Sequence, residues 1–261
     1  MAFHYHDHKN LLTGDIYANM LKINEILEEH VTYGLPAVNY MQKIHDSHTA
    51  TVFSTTTGAE AHMPERRSGS KVTFGQDVTN MLSEQIIEEL YYQLQHHVVQ
   101  IRPATHGDII HYRPGDFFKW HVDHVPDYKL PKINRRGETE LADGSTLIVP
   151  CSLQRAKWRY YTMLVGLENT IEGGATAIRS EYDGGVHHFD GGNRCGQYIL
   201  FPSDVMHCGE KVIAGSKTAI KIDFWIQSMP FDSYVYCREE MIENNQYYEP
   251  DEDDYGWCNE D

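Results

Sequence analysis

From Val98 to Gln227 the chain breaks into short β-rich runs punctuated by Gly, Pro and Asp. The runs are Val98–Arg102, Asp108–Tyr112, Phe117–Asp123, Ser145–Val149, Trp158–Leu167, Thr176–Arg179, Val186–Phe189, Gln197–Phe201, Val205–Val212 and Lys217–Gln227. That density of short strands predicts a sandwich or barrel rather than βαβ units.

Upstream the period changes. Asp15–His30 places Ile16, Met20, Ile23 and Leu27 at the spacing of an amphipathic helix, ended near Gly34-Leu-Pro36. Val78–His97 carries a stripe of Met81, Ile86, Leu90, Tyr91 and Leu94, with Glu84, Glu88 and Glu89 largely off it. Both segments are predicted as helices that back the sheet. Thr49–Thr55 is strand-like, and Gly58–Ser70, polar and rich in turn formers, reads as a mobile loop.

Two segments carry the chemistry. In Tyr112-Arg-Pro-Gly-Asp-Phe-Phe-Lys-Trp-His-Val-Asp123, His121 and Asp123 are two residues apart, which on a strand puts both side chains on one face. Far downstream, His207 offers a third ligand. Two imidazoles and one carboxylate on one face of a metal leave the opposite positions open, the donor set of non-haem Fe(II) oxygenases. With 16 His and 38 acidic residues in the chain, an HxD pair alone arises easily by chance. The pattern gains specificity from Lys217, which follows a Gly-Ser turn signal. There Lys217, Ala219, Lys221 and Asp223 alternate against Thr218, Ile220, Ile222 and Phe224. A cation on the polar face near a metal suits an anionic co-substrate, with Lys221 as the rival to Lys217. The competing readings are a chance polar strand for the HxD pair, a core histidine for His207 and a packed aromatic for Tyr112.

Together these residues resemble the 2-oxoglutarate- and Fe(II)-dependent dioxygenases, and within them the prolyl 4-hydroxylase-like branch. The resemblance runs from roughly Phe53 to Trp225. It is carried by Tyr112-Arg-Pro-Gly115 leading into His121-Val-Asp123, by Tyr161–Glu168 followed by Glu172-Gly-Gly-Ala-Thr176, by Gly196–Pro202, and by His207 with Lys217. It implies an α+β protein: a double-stranded β-helix (jelly-roll) core with N-terminal helices packed on the sheet. It implies His121, Asp123 and His207 as the catalytic metal ligands for Fe(II), and 2-oxoglutarate and O2 as co-substrates, with ascorbate as an accessory reductant. Lys217 would pair with the C5 carboxylate of 2-oxoglutarate, and Tyr112 would donate a hydrogen bond nearby. The implied reaction couples decarboxylation to succinate and carbon dioxide with hydroxylation of a C–H bond. Two departures touch the substrate side. Asp127–Lys157 forms a long insert that reads as a loop or an added hairpin. Gly166 and Glu168 stand where the family often has an aromatic and a small polar residue.

The expected organisation is a helical support region over 1–97, a catalytic core over 98–229, and a C-terminal extension over 230–261 in which Tyr234 and Tyr236 anchor the chain before an acidic tail. The net charge of −16 argues against nucleic acid, whose affinity depends on neutralised phosphates. No apolar run is long enough for a transmembrane helix, and the N-terminus lacks the apolar core of a secretory signal. Five scattered Cys without a CxxC read as free thiols of a reducing compartment. The expected location is the cytoplasm, with the nucleus as the alternative. The expected partner is a peptide or protein substrate hydroxylated on a prolyl residue. The alternatives are a lysyl side chain, a free amino acid or a small metabolite, and, outside catalysis, a metal-dead binding module.

Overall fold

Alternation along one strand, Lys217–Ser228, organises the molecule. Ile220, Ile222, Phe224 and Ile226 are fully buried on one face, and Lys217, Ala219, Lys221 and Asp223 occupy the other. The first set belongs to a cluster with helix residues Ile23, Leu27, Leu82, Ile86 and Leu90, and Ala219 to a second cluster shared by two sheets. Helices therefore cover one face of the strand and a second sheet covers the other. Each such fully buried apolar side chain contributes about 1.5–3 kcal/mol. The structure is a computed structural model, and it describes residues 4–6, 11–31, 52–54, 59–61, 66–94, 98–170, 172–179, 185–190 and 192–229.

The larger sheet has seven strands in the order β1 (His4–His6), β2 (Leu11–Asp15), β14 (Gln197–Pro202), β10 (Lys157–Gly166), β17 (Lys217–Ser228), β6 (Val98–Tyr112) and β5 (Ser70–Phe74). The smaller has four, in the order β13 (Val186–Phe189), β12 (Thr176–Arg179), β15 (His207–Gly209) and β7 (Phe118–His121). Three two-stranded pairs complete it: β3 (Val52–Ser54) with β4 (Ala59–Ala61), β8 (Glu138–Glu140) with β9 (Thr146–Ile148), and β11 (Glu172–Gly173) with β16 (Val212–Ala214). The pairings between named strands are antiparallel. The protein is α+β, a jelly-roll sandwich with α1 (Met20–Val31) and α2 (Gln76–Leu94) on the outer face of the larger sheet. Among the described residues no helix is long and apolar enough to cross a membrane.

Several boundaries differ from the sequence reading. The helix expected from Asp15 starts at Met20, because Asp15 still pairs with Gln197 and Ile16 N–H donates to the Gly196 carbonyl. The two strands expected over Val98–Tyr112 are one. Pro103, which has no N–H to give, and Gly107 sit at an irregularity in the pairing with β17, where the chain bulges instead of stopping. The loop expected over Gly58–Ser70 contains β4 and the start of β5, and Arg67 bridges to Phe118. His4 and His6, read as an unstructured end, lie in β1; His8 falls outside the described residues. The tail after Met229, with Tyr234 and Tyr236, also lies outside them.

The 127–157 insert contains the β8–β9 hairpin, turned at Asp143-Gly144, where Gly144 takes a φ of 81° and Ser145 N–H donates to Asp143 Oδ1. It is pinned to one end of the sandwich. Trp158 Nε1 donates to the Pro131 carbonyl at 2.7 Å, and Arg102 Nη2 to the Glu140 carbonyl at 2.8 Å. Gln100 Nε2 donates to Gln227 Oε1 at 3.0 Å.

Candidate active site

The smaller sheet places His121 and His207 directly opposite one another in adjacent strands, with ring centroids 4.2 Å apart. Cross-strand neighbours on one face are the closest side-chain pairs a sheet offers. Phe118 stacks on His121 at 3.5 Å between centroids, and Phe201 packs on His207 at 4.6 Å. Strand β7 ends at His121, two residues short of the expected Asp123. Asp123 is instead fixed by its N–H, which donates to the Ser203 carbonyl at 2.8 Å. Its carboxylate still meets both rings: Oδ1 lies 3.5 Å from His121 Nε2 and Oδ2 lies 3.7 Å from His207 Nε2. One donor atom from each residue falls within 4.8 Å of the others.

The donor chemistry fits a metal dication. His121 Nδ1 lies 2.7 Å from the Lys119 carbonyl, and His207 Nδ1 lies 2.8 Å from the Val205 carbonyl. A carbonyl accepts only, so each Nδ1 carries a proton and each Nε2 is the atom turned toward Asp123. Such carbonyl partners fix the tautomer of metal-binding histidines. Burial lowers the His207 pKa to about 4, the Asp123 carboxylate offsetting part of the effect, so this ring is neutral at pH 7. Burial opposes ionisation of Asp123, but Lys221, then His207 and His121, outweigh it and hold its pKa well below the usual carboxylate range. Thr162 Oγ1 donates to Asp123 Oδ2 at 2.7 Å and is itself 2.7 Å from Ser203 Oγ.

Lys217 faces the same interior. It is 3% exposed, and its Nζ donates to the Gly174 carbonyl at 2.7 Å and to Thr176 Oγ1 at 3.3 Å. Gly173 and Gly174 both take positive φ, 76° and 72°, at the irregularity in the β11–β16 pairing that presents this carbonyl. Burial lowers the Lys217 pKa to about 8, with Asp190, Cys208 and Glu210 acting in the opposite direction. Tyr112 lies opposite Lys217 in the β6–β17 register, buried in the inter-sheet cluster. Lys221, the rival cation, is engaged elsewhere, at 2.7 and 2.6 Å from the two oxygens of Asp223 and 3.6 Å from Asp123 Oδ2. Cys208 is buried beside His207, and burial pushes its thiol up to about 11.

Thr162, Ser203 and Tyr160 escaped the sequence reading, and so did the pairing of Lys221 with Asp223. The alternation of β17 placed Asp223 on the correct face, but nothing local assigns a partner across strands.

No family model matches the sequence, and no curated protein matches it. Solved structures of similar shape include a prolyl-4-hydroxylase of Pseudomonas putida, 11% identical over 85% of this chain and 94% of that one, with a TM-score of 0.44. A prolyl hydroxylase from Trichoplax adhaerens, in complex with a peptide fragment of the hypoxia inducible factor oxygen degradation domain, is 13% identical over 86% of each chain, with a TM-score of 0.49. The non-heme alpha ketoglutarate dependent epimerase SnoN from nogalamycin biosynthesis is 10% identical over 83% of this chain and 78% of that one, with a TM-score of 0.44.

Proposed function

We propose that the protein is an Fe(II)- and 2-oxoglutarate-dependent dioxygenase that hydroxylates a peptidyl substrate, with a prolyl residue as the favoured target. The observation that carries the reading is the convergence of two imidazole Nε2 atoms, their tautomers set by backbone carbonyls, on one ionised carboxylate. Among first-row metal sites, two histidines and one carboxylate on one face are the hallmark of non-haem Fe(II) oxygenases. His121, Asp123 and His207 would hold the metal. Bound there, Fe(II) supplies O2 activation coupled to decarboxylation of the keto acid.

The rest falls to the chain's own side chains. Lys217 would bind the far carboxylate of 2-oxoglutarate, exchanging the Gly174 carbonyl and Thr176 hydroxyl for a charged partner. Tyr112, its cross-strand neighbour, would orient the same end. Thr162 and Ser203 hold Asp123 in place. Ile110, Leu164, Ile178, Phe201 and Val212 line the inter-sheet interior with apolar surface and exclude water.

The same chemistry on a lysyl side chain, a free amino acid or a small metabolite is the second reading. Its ground is that charged side chains, Lys221 and Asp223, stand beside the triad, Lys221 Nζ 3.6 Å from Asp123 Oδ2. Succinate formation from 2-oxoglutarate, measured with iron and ascorbate against libraries of prolyl and lysyl peptides and amino acids, tests both. A prolyl peptide that stimulates turnover and gains one oxygen atom supports the first. Stimulation by lysyl or free amino acid substrates alone supports the second.

A further inference from the structure

Asp223 shares a lysine with Asp123. It lies opposite Thr162 in the β10–β17 register, and Thr162 donates to Asp123. Both Asp223 oxygens are taken by Lys221 Nζ, and Tyr160 Oη donates to Oδ2 at 3.2 Å. The same ammonium lies 3.6 Å from Asp123 Oδ2. One cation thus serves two carboxylates, and only one of them stands with the two histidines. Tyr160 is fixed in turn by Trp225, its ring centroid 4.7 Å away.

A dication at the triad attracts every carboxylate within reach, and a second one in its coordination shell would fill a position that a chelating keto acid or O2 requires. We propose that Lys221 is a positioning residue that locks Asp223 away from the metal, so that Asp123 is the sole carboxylate ligand. This rests on the dioxygenase reading above. Geometry explains why the lock holds. Asp223 gives up three strong contacts, two to an ammonium and one to a phenol, if it leaves.

The test is Mn(II) affinity at neutral pH, read by electron paramagnetic resonance, together with the visible band of the anaerobic Fe(II)–2-oxoglutarate complex. Wild type is compared with Lys221→Met, Lys221→Arg, Asp223→Asn and the Lys221→Met/Asp223→Asn double variant. Released Asp223 joins the metal in Lys221→Met, which binds Mn(II) about tenfold tighter and shifts the band, because two positions remain for the keto acid beside a second carboxylate. The double variant returns to wild-type affinity and band position, and Lys221→Arg keeps both. A merely structural ion pair would weaken binding in Lys221→Met, with no rescue in the double variant, and that result overturns the proposal. Should Lys221→Met fail to fold, Asp223→Asn decides. Lys221, left to Asp123 alone, then weakens Mn(II) binding about tenfold, and unchanged affinity overturns the proposal. Wild type without a band would refute the dioxygenase reading, while the Mn(II) affinities would still decide the role of Lys221.

Discussion

Thr162 donates its hydroxyl to Asp123 Oδ2 over 2.7 Å, tying the centre of the larger sheet to the ligand segment that follows β7. A hydrogen bond to a charged group contributes about 1.5–3 kcal/mol, and an outer partner of a metal ligand changes affinity about 10- to 100-fold. Thr162→Val, nearly the same shape, therefore keeps the fold and weakens Mn(II) binding by at least about tenfold. Calorimetric titration checks it, with circular dichroism as the control.

Lys217 predicts a trade between stability and binding. Burial sets its folded pKa near 8, against 10.5 as the ordinary value. The unfolded chain therefore binds more protons between those two pH values, and stability rises as pH climbs from about 8 towards 10.5. Below about 8 the cost of the buried charge is fully present, on the order of 3 kcal/mol. Lys217→Met removes that cost but leaves Gly174 and Thr176 without their donor, for a net gain of about 1–2 kcal/mol at pH 7. The same variant loses about 2 kcal/mol or more of 2-oxoglutarate affinity, roughly thirtyfold. Urea unfolding at pH 7 and 10, with keto-acid titration alongside, measures both effects. The stability gain shrinks at the higher pH.

Gly166 admits no side chain. A Cβ there would lie 2.1 Å from the Arg194 carbonyl oxygen and 2.6 Å from its carbon, and backbone cannot swing aside. Gly166→Ala is expected to cost about 2–3 kcal/mol and to lower Tm by roughly 4–10 °C. Differential scanning calorimetry reads the shift.

Arg102 holds the insert through the Glu140 carbonyl at 2.8 Å, and is itself braced by Gln100 at 3.1 Å and by the Trp158 ring at 5.7 Å. Arg102→Ala raises local opening of residues 127–157 by about tenfold or more. Limited proteolysis sees faster cleavage there, and the affinities for metal and 2-oxoglutarate stay unchanged.

Local pattern carried much of this architecture. Two-residue alternation put Lys217, Lys221 and Asp223 together on one polar face of β17, which the fold turns inward. The HxD pair converged as expected even though β7 ends at His121, because the Ser203 carbonyl fixes Asp123 in place of strand pairing. Register was not legible. Thr162 meets Asp223 only because β10 and β17 align, and a one-residue shift of β10 would turn Thr162 to the opposite face. Pro103 and Gly107 read as chain breaks, yet long pairing with β17 carries β6 through them. His4–His6 and Ser70–Phe74 are too polar to announce strands, and they form as outermost members of the larger sheet.

Anaerobic titration of the purified protein with Fe(II) and 2-oxoglutarate tests the central claim most directly, through the visible metal-to-ligand charge-transfer band of the chelate. The account predicts a band that needs both components, disappears in Asp123→Ala and demands far more 2-oxoglutarate in Lys217→Ala. A folded, iron-loaded protein that gives no band, or gives one indifferent to Asp123, would contradict it.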